Sequence, residues 1–205
     1  SFSAVSVNLA IGQGKGGQAE GDSLEEIEDL LGSSNADTLI GDAGSNRLDG
    51  GGGVDVLRGG AVNDTLIGDG FAVADYTGSD AGVHVDLRSG GANAMPGEIF
   101  HSFGVAQGGD AQGDVLRGIR HLIGYSGADT LGGDTQANDI QGGAGDDLIL
   151  GSRGSQRDVL DGGGGADTIS YAGWTTENPV IGGSVDLLID LGGGGGPEGD
   201  LLYGF

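Results

Sequence analysis

None of the 205 residues is cysteine, so the chain has neither a disulfide framework nor a thiolate metal site. Positive charge is scarce: eight Lys and Arg stand against 31 Asp and Glu, a formal charge of −23. Phosphate recognition needs clustered basic side chains, which excludes nucleic acid and anionic membrane surfaces as partners. Aromatic residues are 5% of the chain, too few for a thick globular core. No apolar run approaches the roughly 20 residues of a membrane-spanning helix, and no secretory signal opens the sequence, so no membrane insertion is expected. What abounds is glycine, 49 residues, without the strict period of three that a collagen helix requires.

The glycines follow a period of nine. Residues 50–58 read GGGGVDVLR, 142–150 GGAGDDLIL and 162–170 GGGGADTIS. All three match G-G-x-G-x-D-x-U-x, where U is large and apolar. Looser copies run head to tail with them: GSSNADTLI, GDAGSNRLD and GGAVNDTLI complete an array over 32–67. A second array covers 124–170, with GYSGADTLG, GDTQANDIQ and an 11-residue GSRGSQRDVLD joining the two perfect copies. A longer repeat encloses the short one. Residues 21–57 align without gaps to 113–149, and each is preceded by V-x-V-[ND]-L, at 5–9 and 83–87. A third copy begins with LLIDL at 187–191 and GDLLYGF at 199–205. Three units are expected: 1–81, 82–183 and the start of another over 184–205.

These nonapeptides resemble the RTX (repeats-in-toxin) family of hemolysin-type calcium-binding repeats. The expected fold is all-β, a right-handed parallel β-roll or β-helix solenoid with the two arrays in line. Six turn-like residues alternate with a three-residue strand, and only U is expected to point inward. The U positions are Leu39, Leu48, Leu57, Leu66, Leu131, Ile140, Ile149, Leu160 and Ile169. Two nonapeptides make one turn, and turns stack at about 4.8 Å. Asp37 therefore meets Asp55, and Asp129 meets Asp147, each pair 18 residues apart; Asp147 meets Asp167 across 20. Two carboxylates about 4 Å apart repel by roughly 1 kcal/mol in bulk water and about 4 kcal/mol at an effective dielectric of 20. A cation between them removes that cost. Calcium suits, because it takes 6–8 oxygen ligands at about 2.3–2.6 Å in flexible geometry, whereas magnesium demands a tight octahedron.

The candidate side-chain ligands are Asp37, Asn46, Asp55, Asp64, Asp129, Asn138, Asp147, Asp158 and Asp167. The resemblance implies carbonyl ligands from the loop glycines Gly50, Gly51, Gly53, Gly142, Gly143, Gly145, Gly162, Gly163 and Gly165. Roughly four to seven calcium ions are expected, one per stacked loop pair. Asn46 and Asn138 bring no charge, so their sites should be weaker. Val62 stands where a loop glycine is expected and strains that turn. The tract 68–76 lacks the sixth-place Asp and ends the first array.

Other motifs carry no chemistry. GDSL at 21–24 resembles a hydrolase motif, yet the matching places read GDVL and GDLL, so Ser23 is a variable position. GQGKGG at 12–17 lacks the Ser or Thr that follows the lysine of a phosphate loop. His84, His101 and His121 have no ligand spacing, and the sequon at Asn63 lies inside a repeat. Tyr76 and Tyr171 are expected to cover roll ends, and Trp174 to pack over the core. Residues 21–31 read as an irregular rung, with apolar places Leu24, Ile27 and Leu30 matched by Leu116, Ile119 and Leu122; residues 88–112, containing Pro96, read as the least regular region.

No catalytic constellation is present. The chain is expected to be a calcium-binding structural segment of a large secreted or cell-surface bacterial protein, such as an adhesin, surface-layer or filament component. Its partners would be neighbouring RTX units or copies of itself stacked end to end. The alternative is an export-and-folding module of an enzyme or toxin; the resemblance implies type I secretion and folding in external calcium. A sugar-binding β-helix would need more exposed aromatics than ten Phe, Tyr and Trp supply.

Overall fold

The computed structural model of the chain describes residues 3–87, 103–151, 158–170 and 201–203. Its sixteen strands form one sheet, mostly parallel. In the first unit they are β1 (Ser6–Asn8), β2 (Gln13–Lys15), β3 (Asp29–Leu31), β4 (Thr38–Ile40), β5 (Arg47–Asp49), β6 (Val56–Arg58) and β7 (Thr65–Asp75). The second unit supplies β8 (His84–Asp86), β9 (Phe103–Gln107), β10 (Val115–Ile123), β11 (Thr130–Gly132), β12 (Asp139–Ala144), β13 (Leu148–Leu150), β14 (Val159–Gly164) and β15 (Thr168–Ser170), and β16 (Leu201–Tyr203) follows.

Most strands are three residues long because the other six of each nonapeptide make the turn. Within an array the register is the one that the repeat dictates. Thr38 pairs with Val56, Arg47 with Thr65, and Thr130 with Leu148, each 18 residues on. The 11-residue repeat moves the offset to 20, as in Asp139 with Val159 and Leu148 with Thr168. Successive nonapeptides alternate between two columns of strands. One runs β1, β4, β6, the end of β7, the end of β10, β12, β14; the other includes β3, β5 and the starts of β7 and β10, then β9, β8, β11, β13, β15, β16.

All nine expected U side chains lie in the single buried cluster between the columns. They do not lie there alone. Asp37, Asn46, Asp55, Asp64, Asp129, Asn138, Asp147 and Asp167 are also buried, because the sixth and eighth places of the repeat share a strand face. The expectation that only U points inward therefore fails for the acids.

The joint between the arrays is a strand pair rather than a loop. β7 and β10 each cross from one column to the other, pairing Thr65 with Val115, Leu66 with Leu116 and Ala74 with Leu122. The tract 68–76 thus continues the stack instead of ending it. Tyr76 does not cover an end: it is 2% exposed, locked between β7 and the second unit. Beyond β10, antiparallel β9 and β8 are inserted on one side only. Two extra strands add roughly 9–10 Å to that side of the stack. Part of the region expected to be least regular is therefore strand β9 and a 3-10 turn, Gly109–Ala111. Residues 88–102 with Pro96 and His101, as well as Tyr171, Trp174 and LLIDL at 187–191, lie outside the described residues. GDLLYGF contributes β16, which stacks on β15 as the start of β10 stacks on β7.

Val62 has φ +68°, a left-handed conformation that is strained for a β-branched residue. Its side chain is largely exposed, so it returns little by packing. Val62→Gly is expected to stabilise the calcium-loaded chain by about 1 kcal/mol. A thermal midpoint in saturating calcium that falls instead of rising would refute this.

Candidate metal centres

The repeat builds one contact at every turn. The Oδ1 of a sixth-place carboxylate accepts the backbone N–H of the sixth residue one turn earlier. Asp55 accepts from Asp37 at 2.9 Å, Asp64 from Asn46 at 2.8 Å, Asp147 from Asp129 at 2.8 Å, Asp158 from Asn138 at 3.0 Å and Asp167 from Asp147 at 3.0 Å. At the start of each array the donor is a lead-in residue: Val5 N–H reaches Asp37 at 2.8 Å and Val83 N–H reaches Asp129 at 2.7 Å. The residues expected to meet across 18 or 20 positions do stack, through a backbone donor rather than face to face.

The second side-chain position divides the loops into two kinds. Where a residue other than glycine follows the first glycine, its N–H turns inward and closes the cradle. Ser33 donates to Asp37, Asp42 to Asn46 at 2.8 Å, Tyr125 to Asp129 at 2.9 Å and Asp134 to Asn138 at 2.9 Å. Where the repeat opens with Gly-Gly, the second glycine takes positive φ: +83° at Gly51, +101° at Gly60, +111° at Gly143 and +90° at Gly163. In those four loops the Oδ2 of Asp55, Asp64, Asp147 and Asp167 is buried without a hydrogen-bond donor. A buried acceptor without a partner costs about 1–3 kcal/mol, and more when charged.

Burial is the main reason that the Asp55 carboxyl is pushed up, and that Asp64 and Asp147 reach about 6. The N–H donors of Asp37, Asn46 and Asp129 pull the other way. Neighbouring carboxylates push further: Asp37, Asp69 and Asp49 on Asp55, and Asp129, Asp167 and Asp146 on Asp147. The first glycine of each loop leaves room for the carboxylate. A Cβ there would lie 2.2 Å from Asp55 Oδ2 at Gly50, 2.3 Å from Asp64 Oδ2 at Gly59, and 2.3 Å from Asp147 Oδ2 at Gly142. At Gly142 it would also lie 2.5 Å from the Gly162 carbonyl oxygen of the next turn.

A divalent cation answers both features, the orphaned oxygens and the accumulated charge. Among the described residues no three Asp, Glu or His side chains group to hold a metal, so a loop site must combine carboxylate with backbone carbonyl oxygens. That is a hard, all-oxygen donor set, which fits calcium.

Two residues escaped the sequence reading. Asp114 accepts Asp64 N–H at 2.9 Å and the Tyr76 hydroxyl at 3.1 Å, and so extends the ladder across the joint. Burial first, then the Asp64 charge, raises its carboxyl to about 7, against the pull of the Asp64 N–H and the Tyr76 hydroxyl. The signal was present: GDAQGDVLR at 109–117 keeps Gly in first, Asp in sixth and Leu in eighth place, but has lost the second- and fourth-place glycines of the repeat. Asp69 sits in second place of the tract 68–76, and its Oδ2 accepts Gly53 N–H at 3.4 Å. Only the corner in β7 brings it to the 50–55 loop, so no period predicts it.

Parallel strands stacked at the repeat's own spacing, with buried carboxylates over glycine turns, define a metal-binding repeat protein. The family model of the RTX calcium-binding nonapeptide repeat matches the chain in four copies, over residues 31–66, 123–155 and 154–173. Those segments are RTX repeats: calcium-binding structural elements, typical of secreted bacterial proteins. No curated protein matches the chain. Among the described residues no helix is long and apolar enough to cross a membrane.

Proposed function

We propose that this chain is a calcium-dependent structural segment of a large secreted or cell-surface bacterial protein, such as an adhesin, surface-layer or filament component. It is a right-handed β-roll that folds on calcium outside the cell, and it performs no catalysis itself. The observation that carries this reading is the pairing of β7 with β10, which joins two repeat units into one continuous stack. A unit that stacks on the next suits an extended scaffold better than a terminal export module.

The four Gly-Gly loops supply the strongest sites, through Asp55, Asp64, Asp147 and Asp167 with carbonyls of the same loops. The loops of Asp37, Asn46 and Asp129 face them as partners, and Asn138 faces Asp158. Asp158 belongs to the long repeat. Calcium there supplies charge neutralisation and carbonyl ligation. Calorimetric titration should count roughly four to seven ions. A count of zero or one would sink this reading.

A further inference from the structure

The lead-in to each array has the same local structure in both units. Gly21 N–H donates to the Gly14 carbonyl at 3.2 Å as Gly113 donates to Ala106 at 3.1 Å. Asp22 N–H donates to Ala19 at 3.2 Å as Asp114 donates to Ala111 at 3.2 Å. Ser23 bridges Gln13 as Val115 pairs with Val105, and β3 pairs with β5 as the end of β10 pairs with β12. Residues 21–31 are therefore built like 113–123.

Their surroundings differ. Residues 113–123 are docked on the first array: β7 pairs along β10, and Asp114 takes the Asp64 N–H. A Cβ at Gly113 would strike Asn63, whereas one at Gly21 meets nothing within 4 Å. Among the described residues no strand pairs with the matching edge of 23–31. The apolar places show the consequence. Ile119 is 2% exposed, and its counterpart Ile27 is 39% exposed; Leu31, the counterpart of half-buried Ile123, is 75% exposed. Asp22 is exposed where Asp114 is buried.

The charges are also reversed. In the docked joint, Arg117 lies opposite Ile67, and the Arg120 guanidinium sits 4.8 Å from the centre of the Phe71 ring. The open face carries Glu25 in place of Arg117 and Glu28 in place of Arg120, with Glu20, Asp22, Glu26 and Asp29 around them. A rung as acidic as β7, which carries Asp69 and Asp75, would be repelled by this face.

We infer that residues 21–31 are a docking face for the terminal rung of another β-roll, one that carries basic side chains where β7 carries Ile67, Asp69 and Phe71. That rung adds backbone hydrogen bonds to the open edge, buries Ile27 and Leu31, gives a sixth-place N–H to Asp22, and sets Lys or Arg against Glu25 and Glu28. Main-chain pairing supplies affinity, and the charge pattern selects the neighbour. The inference rests on the reading of the chain as one segment of a stack, and it names which neighbour fits.

The test uses the full chain in calcium and two blocked peptides. One has the β7 sequence; the other has lysine in place of Ile67, Asp69 and Phe71. Hydrogen exchange of amides 23–31 is the readout. The lysine peptide is expected to slow exchange there about tenfold or more, and the unchanged peptide much less. The double variant Glu25→Arg, Glu28→Arg should reverse that order. Equal protection by both peptides, or by neither, overturns the inference. Circular dichroism in calcium is recorded first. A chain that fails to fold in calcium fails as a calcium-dependent scaffold, whereas a folded chain that ignores both peptides fails only as a docking partner.

Discussion

Removing calcium with EDTA at pH 7.5 is expected to abolish most of the β-sheet circular dichroism signal of this chain. Within the arrays the core is a thin double row of single Leu and Ile side chains, with carboxylates buried beside it. A ligand that binds only the folded state stabilises it by about 2.7 kcal/mol per site at a hundredfold excess over its dissociation constant. Four to seven such sites supply about 11–19 kcal/mol, as much as the whole stability of an ordinary domain, about 5–15 kcal/mol. Without them the charge of −23 and the scarcity of aromatics leave a disordered chain. Protons should substitute in part. The folded carboxyls of Asp64 and Asp147, raised to about 6, and of Asp114, raised to about 7, exceed the ordinary value of 3.8. The folded state then holds more protons than the unfolded state between those values, so metal-free stability rises as pH falls from about 7 towards 4. Acidifying the EDTA-treated chain to pH 5 should restore part of the signal. An unchanged spectrum in EDTA at pH 7.5 would show that calcium does not drive folding, and a loss of signal on acidification would show that protons do not substitute for it.

Asp147→Ala is expected to raise the calcium concentration needed for folding more than either Asp55→Ala or Asn46→Ala. Asp147 links three turns: it accepts Asp129 N–H and its own N–H donates to Asp167. Its Oδ2 is one of the four orphaned oxygens, so it is free to hold a cation. Truncation removes charge from two stacked loop pairs and strands the Asp129 N–H, at about 1–3 kcal/mol for the donor alone. Asp55→Ala leaves Asp69 beside the same loop and should shift the midpoint about half as far on a free-energy scale. Asn46→Ala should shift it least, because Asn46 is neutral and its Oδ1 already accepts the Asp42 N–H. Folding midpoints of the three variants, titrated with calcium, decide the order. An Asn46→Ala shift as large as that of Asp147→Ala would contradict the division into open and closed loops.

Sequence alone determined the strands within the two arrays, the offsets of 18 and 20 residues and the nine core side chains of the repeats, from Leu39 to Ile169. These follow from local spacing. A nine-residue unit with a three-residue strand and one apolar place can bury that place only by stacking in its own register. Glycine placement is legible for the same reason. A second-place glycine at φ near +100°, as at Gly60, frees the carboxylate that a serine amide closes at Ser33.

The tertiary structure alone decided three things. It turned the sixth-place acids inward beside the apolar side chains, although burial of charge argues against it, because the N–H of the previous turn waits there to receive them. It brought Asp114 to Asp64 across 50 residues, and Asp69 to the 50–55 loop, through the crossing strands β7 and β10. It also sealed Tyr76 inside the joint that its sequence position marks as an end. Each depends on segments that meet outside the nine-residue period. A repeating pattern fixes contacts between neighbouring turns, but where the period breaks, only packing of the whole stack selects which strand edge pairs with which.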